Sequence, residues 1–122
     1  MKKLKIKTTI ISENKKITEN LTGSLESGII SYKENNDTYV YLDINRNELI
    51  RENDEMVLKF LFEENKETIG IVFIKELKKE LEIILKTDTI KKEDNKYYVT
   101  YEIENNIFTY EIEYMEVEVW VT

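Results

Sequence analysis

The chain has 122 residues, 41% of them hydrophobic and 35% charged, with a formal net charge of -7. That is one domain's length, with enough apolar material for a single core. The chain contains no His and no Cys, which excludes Ser-His-Asp, Cys-His and imidazole–zinc chemistry and any disulfide framework, and a cysteine-free chain suits a reducing cytoplasm.

The negative charge is uneven. Residues 1–61 hold ten basic and ten acidic side chains, whereas residues 62–122 hold eight and fifteen. No basic residue follows Lys96. A phosphate-binding surface needs clustered positive charge, so a nucleic-acid partner is not expected. No run approaches the ~18 apolar residues of a membrane span. The opening MKKLKIKTTIIS begins like a signal peptide, but Lys5, Lys7, Thr8 and Thr9 break its apolar stretch, so no targeting segment is expected either.

Period-two alternation starts at once. Leu4, Ile6, Thr8 and Ile10 share one face, with Lys3, Lys5 and Lys7 opposite. Polar breaks then recur at Glu13–Lys15, Gly23–Ser24, Asn35–Asp37, Asn45–Asn47, Asn53–Glu55, Glu63–Lys66, Asp94–Asn95 and Asn105–Asn106. Asn and Asp tolerate the left-handed backbone of tight turns, and here they replace the usual Gly and Pro. Val40, Leu42 and Ile44 alternate with Tyr39, Tyr41 and Asp43, and Leu49 shares a face with Arg51. Residues 73–85 fit two patterns. Ile74, Leu77, Leu81, Ile84 and Leu85 suit a helix, while Leu81, Ile83 and Leu85 suit a strand. The helix-forming Lys and Glu of KELKKEL predict a short helical turn near residues 75–80, followed by a strand. Tyr97, Val99, Tyr101 and Ile103 form another inward set, as do Phe108, Tyr110 and Ile112. After Tyr114 the apolar residues change parity to Met115, Val117, Val119 and Val121. Such a slip turns every side chain over unless a β-bulge absorbs it, so a bulge is predicted at Tyr114–Met115.

Closely spaced alternating strands read as an antiparallel sandwich or barrel. The Lys-bearing first strand and the Glu-bearing last strand are complementary, and pairing them would close the sheet and remove its edges. The expectation is therefore a single all-β domain over residues 1–122, an up-and-down antiparallel barrel of about 8–10 strands.

The run LTGSLESGIISYKE, followed by ELIREN, MVLKFLFEENKETIG, LEIILKT and YYVTYEIEN, resembles the YwiB-like family of short bacterial proteins of unknown function. The matching positions include Gly28, Tyr32, Leu49, Arg51, Phe60, Leu85, Thr87, Val99 and Tyr101. The resemblance spans roughly residues 4–118 and implies a calycin-like (lipocalin-like) barrel. It implies no catalytic residues. The chain departs from the family at Asn53 and at KELKKE around residues 75–80, where the family carries turn glycines.

Arg51 is one of two arginines among sixteen lysines. If Leu49 points inward so does Arg51, where its planar fork suits a carboxylate or phosphate ligand, or equally an internal Glu or Tyr hydroxyl. Tyr32, Tyr97, Tyr101 and Tyr110 fall on inward faces and either line a ligand cavity or fill the barrel. Tyr39, Tyr41 and Tyr98 face outward, where Tyr serves protein contacts or simply suits a strand. The adjacent acidic pairs Glu63–Glu64, Asp54–Glu55, Glu102/Glu104 and Glu111/Glu113 lie side by side on wet faces, which is not the arrangement of glycosidase carboxylates. No metal or other cofactor and no catalytic residue is expected. Two functions lead: binding a small hydrophobic or anionic molecule inside the barrel through Arg51 and the inward tyrosines, or protein–protein contact, in a homodimer or with another protein, through the outer Tyr and Glu surface; an enzyme with Arg51 as its one candidate residue is the third and least expected class.

Overall fold

The alternation lays the chain down as ten consecutive strands in a computed structural model that describes residues 1–117. They are β1 Lys2–Ser12, β2 Lys15–Glu26, β3 Ile29–Lys33, β4 Tyr39–Asp43, β5 Glu48–Glu52, β6 Met56–Leu61, β7 Lys66–Ile74, β8 Lys79–Glu93, β9 Lys96–Ile103 and β10 Asn106–Glu116. Each pairs antiparallel with its neighbour in sequence, and β10 returns to β1, so the sheet closes into an up-and-down barrel.

Closure runs through the predicted strands. Leu4 lies opposite Glu116, Ile6 opposite Tyr114 and Lys7 opposite Glu113. The charge pairing across this seam is narrower than expected. Lys2 Nζ reaches Glu116 at 2.8 Å, whereas Glu111 and Glu113 are held at 3.0 and 3.7 Å by Lys96 of β9.

The interior follows the inward parity of each strand. Leu4, Ile6, Ile30, Val40, Leu42, Leu49, Leu85, Val99 and Ile112 are buried together with Tyr32, Phe60, Phe62, Tyr97 and Tyr110. Phe60, Phe62, Tyr101 and Phe108 form an aromatic cluster with ring centroids 5.1 to 6.3 Å apart. The lysines and most glutamates lie outside, Glu34 being the buried exception. That is the inverse of the pattern in a membrane-spanning barrel, whose outer band is apolar. No helix among the described residues is long and apolar enough to cross a membrane.

Three local expectations are corrected. Residues 75–80 hold no helical turn: Lys75–Lys78 is a tight turn in which the Lys78 N–H bonds to the Lys75 carbonyl at 3.3 Å, and β8 begins at Lys79. Ladder pairing with β7 overrides the helix propensity of Lys and Glu, because Leu81 and Ile83 then share the inward face with Val72 and Gly70. The bulge is also elsewhere. Pairing of β10 with β1 runs unbroken through Tyr114 and Met115, and Met115 points outward at 60% exposure. The irregularity falls in β8, where Asp88 is passed over between Thr87 and Thr89. Val119 and Val121 lie outside the described residues. Finally, Gly23–Ser24 sits inside β2, and the chain turns at Ser27–Gly28 instead, both with positive φ.

Pairing is uneven along the two longest strands. β2 pairs with β1 from Lys15 to Leu25, but with β3 only from Gly23 to Glu26. β8 pairs with β7 over Lys79–Thr87 and with β9 only from Lys86 onward. The first half of β8 therefore projects past the end of β9 as one arm of the β7–β8 hairpin.

Candidate functional site

Arg51 points inward, as its partnership with Leu49 requires, and its guanidinium forms an ion pair and hydrogen bond with Glu34. Glu34 lies just beyond β3, in phase with Ile30 and Tyr32, and its side chain is 4% exposed against 33% for Arg51. Burial works against the Arg51 charge, but Glu34, with help from Tyr32 and Tyr101, more than offsets it and holds the guanidinium above its ordinary value.

The Tyr32 and Tyr110 hydroxyls hydrogen-bond to each other across the barrel. Burial is the main cause that raises both, and it leaves Tyr110 well above the ordinary phenol value. Burial also pushes Tyr101 up to about 12, against the opposing pull of the nearby Arg51. Glu19 of β2 borders the cluster and accepts the Asn35 N–H at 3.2 Å. The structure thus gathers Arg51, Tyr32, Tyr101 and Tyr110 around Glu34. Tyr97 stands apart: its hydroxyl donates to Asn47 Oδ1 at 3.2 Å in the β4–β5 turn, and burial alone raises it.

Glu34 and Glu19 escaped the sequence reading although the signal was present. Extending the Ile30–Tyr32 parity past the strand end puts Glu34 inside, and the parity of Leu21 and Gly23 does the same for Glu19.

Most of the cluster is internally satisfied. Among the described residues, two buried side-chain polar atoms have no hydrogen-bond partner: Arg51 Nε and Thr87 Oγ1. Thr87 lines a concavity of about 410 Å³ beside the β8 bulge, together with Asp88, Thr100 and Tyr101. A larger groove of about 830 Å³ is lined by Ile6, Leu21 and Tyr114 together with Lys7, Lys33 and Asn35, and it adjoins the Asn35–Glu19 contact.

The outward tyrosines divide. Tyr39 and Tyr41 of β4 are 48% and 39% exposed. Tyr98 sits on β9, where its hydroxyl accepts a bond from Thr100 at 2.9 Å and Lys91 lies over its ring. Tyr98 is therefore not part of one tyrosine cluster with them.

No protein-family model matches the chain, and no curated protein matches it. Among solved structures, the ywiB protein from Bacillus subtilis matches with a TM-score of 0.64 over 95% of this chain and 91% of that one, at 16% sequence identity. The shared feature is the fold. At that identity the likeness carries the closed barrel and leaves the chemistry of Arg51 and its neighbours to be argued from this chain's own residues.

Proposed function

We propose that this protein is a filled barrel that binds another protein on its outer face. The observation that carries the reading is the apolar surface left outside β4 to β8. Across the strands, Tyr41 lies opposite Ile50, Ile50 opposite Lys59 and Lys59 opposite Ile71. The neighbouring row runs Tyr39, Glu52, Val57, Phe73. Beyond them Ile69 faces Ile84, at 58% and 62% exposure. Exposed apolar side chains gathered on one face in this way, with Lys59 and Glu52 among them, are what a protein interface leaves uncovered. By contrast, the outer faces of β1 and β2 carry Lys5, Lys7, Lys16, Thr18, Asn20 and Thr22. A cysteine-free barrel that works in this way suits a bacterial cytoplasm.

The test is a photo-crosslinking residue placed at Tyr41 or Ile84 in host cells, with Thr18 on the opposite side as control. The reading expects a discrete protein adduct from the first two positions and none from Thr18. No adduct anywhere, or equal adducts from all three, would count against it.

A second reading rests on a separate observation, the unpartnered Nε of Arg51 in a side chain that solvent still reaches. A small hydrophobic molecule with an acidic end would satisfy that nitrogen from within a calycin-like barrel. Tyr101 and the Tyr32–Tyr110 pair would then line its path.

A further inference from the structure

We infer that the β7–β8 hairpin accepts an added strand: an extended segment of a partner protein, alternating basic and apolar residues, pairs with the open edge of β8 at Lys79–Leu85. The inference rests on the reading of the outer face as an interaction surface and names how that surface is engaged.

An unpaired strand edge is a template for another chain, and proteins usually cover it or load it with charge. Besides a short one on β7 at residues 66–70, such edges run along β2 and β8, and these two differ. The β2 edge reads KKITENLT, and Ile17 is its one large apolar residue at high exposure, 46%. It is protected in the usual way by Lys15, Lys16 and Glu19. The β8 edge carries Leu81 and Ile83 on its inward face, and Ile84 beside Glu80 and Glu82 on its outward face. Leu81, which faces inward, is 49% exposed because β9 ends before reaching it. Ile84 and its cross-strand neighbour Ile69 are open outside, and Leu77 at the hairpin tip is 59% exposed. A strand laid along this edge would cover Leu81 and Ile83 with its inward side chains, at roughly 25 cal/mol per Å² of apolar surface removed from water.

Charge selects the occupant. A cleft of about 360 Å³ runs between this edge and the β9–β10 turn, lined by Glu82, Ile83, Ile84, Lys86, Glu102 and Glu104. Lys86 already lies 3.8 Å from Glu67 and 4.0 Å from Glu102. The outward side chains of an incoming strand therefore meet Glu82, Glu102 and Glu104, which favours Lys or Arg at alternate positions. The β8 strand of a second copy is a poor occupant, since it brings its own Glu80 and Glu82 to the same carboxylates.

The test uses the full chain, a short synthetic peptide of alternating Lys and Val, and its Glu/Val counterpart, followed by amide hydrogen exchange and NMR shifts. The inference expects protection at Glu80–Leu85 with the Lys/Val peptide, weakening with salt, and affinity about tenfold or more lower for the Glu/Val peptide. A double variant, Glu82→Lys with Glu104→Lys, should reverse that preference while the amides of β1 and β10 keep their protection. Equal binding of both peptides, protection at β2 instead, or an unprotected β8 edge overturns it. So does concentration-dependent protection without peptide in a chain that sediments as a dimer, which assigns the edge to a second copy. If crosslinks from Tyr41 still capture a partner while the β8 edge stays unprotected, this inference fails and the outer-face reading survives.

Discussion

Replacing Glu34 by Gln keeps its shape and removes the counter-charge of Arg51. Glu34 is nearly buried, at 4% side-chain exposure, whereas Arg51 is one-third exposed. Removing one partner of a fully buried ion pair costs about 3–5 kcal/mol. Because the Arg51 guanidinium can regain part of its hydration, the expected cost for Glu34→Gln is roughly 2–3 kcal/mol. Removing both charges is a different perturbation: Glu34→Leu with Arg51→Met leaves no unpaired charge and should fall within about 1 kcal/mol of the parent. The single variants Glu34→Leu and Arg51→Met, their double variant and the parent close a cycle whose coupling should be at least ~3 kcal/mol. Equilibrium urea unfolding at neutral pH, read by far-ultraviolet circular dichroism, measures these four proteins and Glu34→Gln. If the single variants cost less than about 0.5 kcal/mol, or the cycle is additive, the pair is not coupled and the reasoning fails.

Four further outcomes follow from the same geometry. The folded state holds Tyr101 protonated up to about 12, so its stabilising share of about 2–3 kcal/mol is whole below pH ~10 and is lost as pH rises towards 12. Absorbance at 295 nm should show Tyr32, Tyr97, Tyr101 and Tyr110 ionising late or with unfolding, and a folded protein in which all eight tyrosines titrate near pH ~10 would contradict this. A Cβ at Gly70 would lie 2.7 and 2.9 Å from ring carbons of Phe60, so Gly70→Ala should cost ~1–3 kcal/mol, and Phe60→Leu should recover part of that loss. On the outer face, Phe73→Ser should change stability by less than about 1 kcal/mol and still abolish crosslinks from Ile84. Leu42→Ala, in the fully buried core, should cost ~2–5 kcal/mol by denaturant unfolding.

Alternation made the barrel legible because inward parity is a local property of each strand. Leu4, Val40, Leu49, Tyr97 and Tyr110 could be placed without knowing their neighbours. The closure of β10 on β1 was also within reach, since Lys and Glu sit on the outer faces of the first and last strands. What stayed hidden depends on partners. The turn at Lys75–Lys78 reads as helix until β7 offers a ladder to β8. Met115 mimics a change of phase because an exposed methionine looks the same in sequence as a buried one. The departure at Asn53 is explained by its side chain: Asn53 Oδ1 accepts the N–H groups of Glu55 and Met56 at 2.8 and 3.0 Å, closing the turn without glycine. At the site, the inward placement of Arg51 was legible, but Glu34 follows the last residue of its strand, where a period-two reading had stopped. The open edge of β8 could not be seen at all, because it arises from the different lengths over which β7 and β9 pair with one strand.

The claim at the centre of this account is that the barrel is full and that its work is done outside. Native mass spectrometry of the intact protein purified gently from its own host tests that claim most directly. The expected spectrum shows the mass of the chain alone or with a protein partner that is lost in Phe73→Ser. A stoichiometric small-molecule adduct that disappears in Arg51→Met, with the partner absent, would contradict it and place the function inside the barrel.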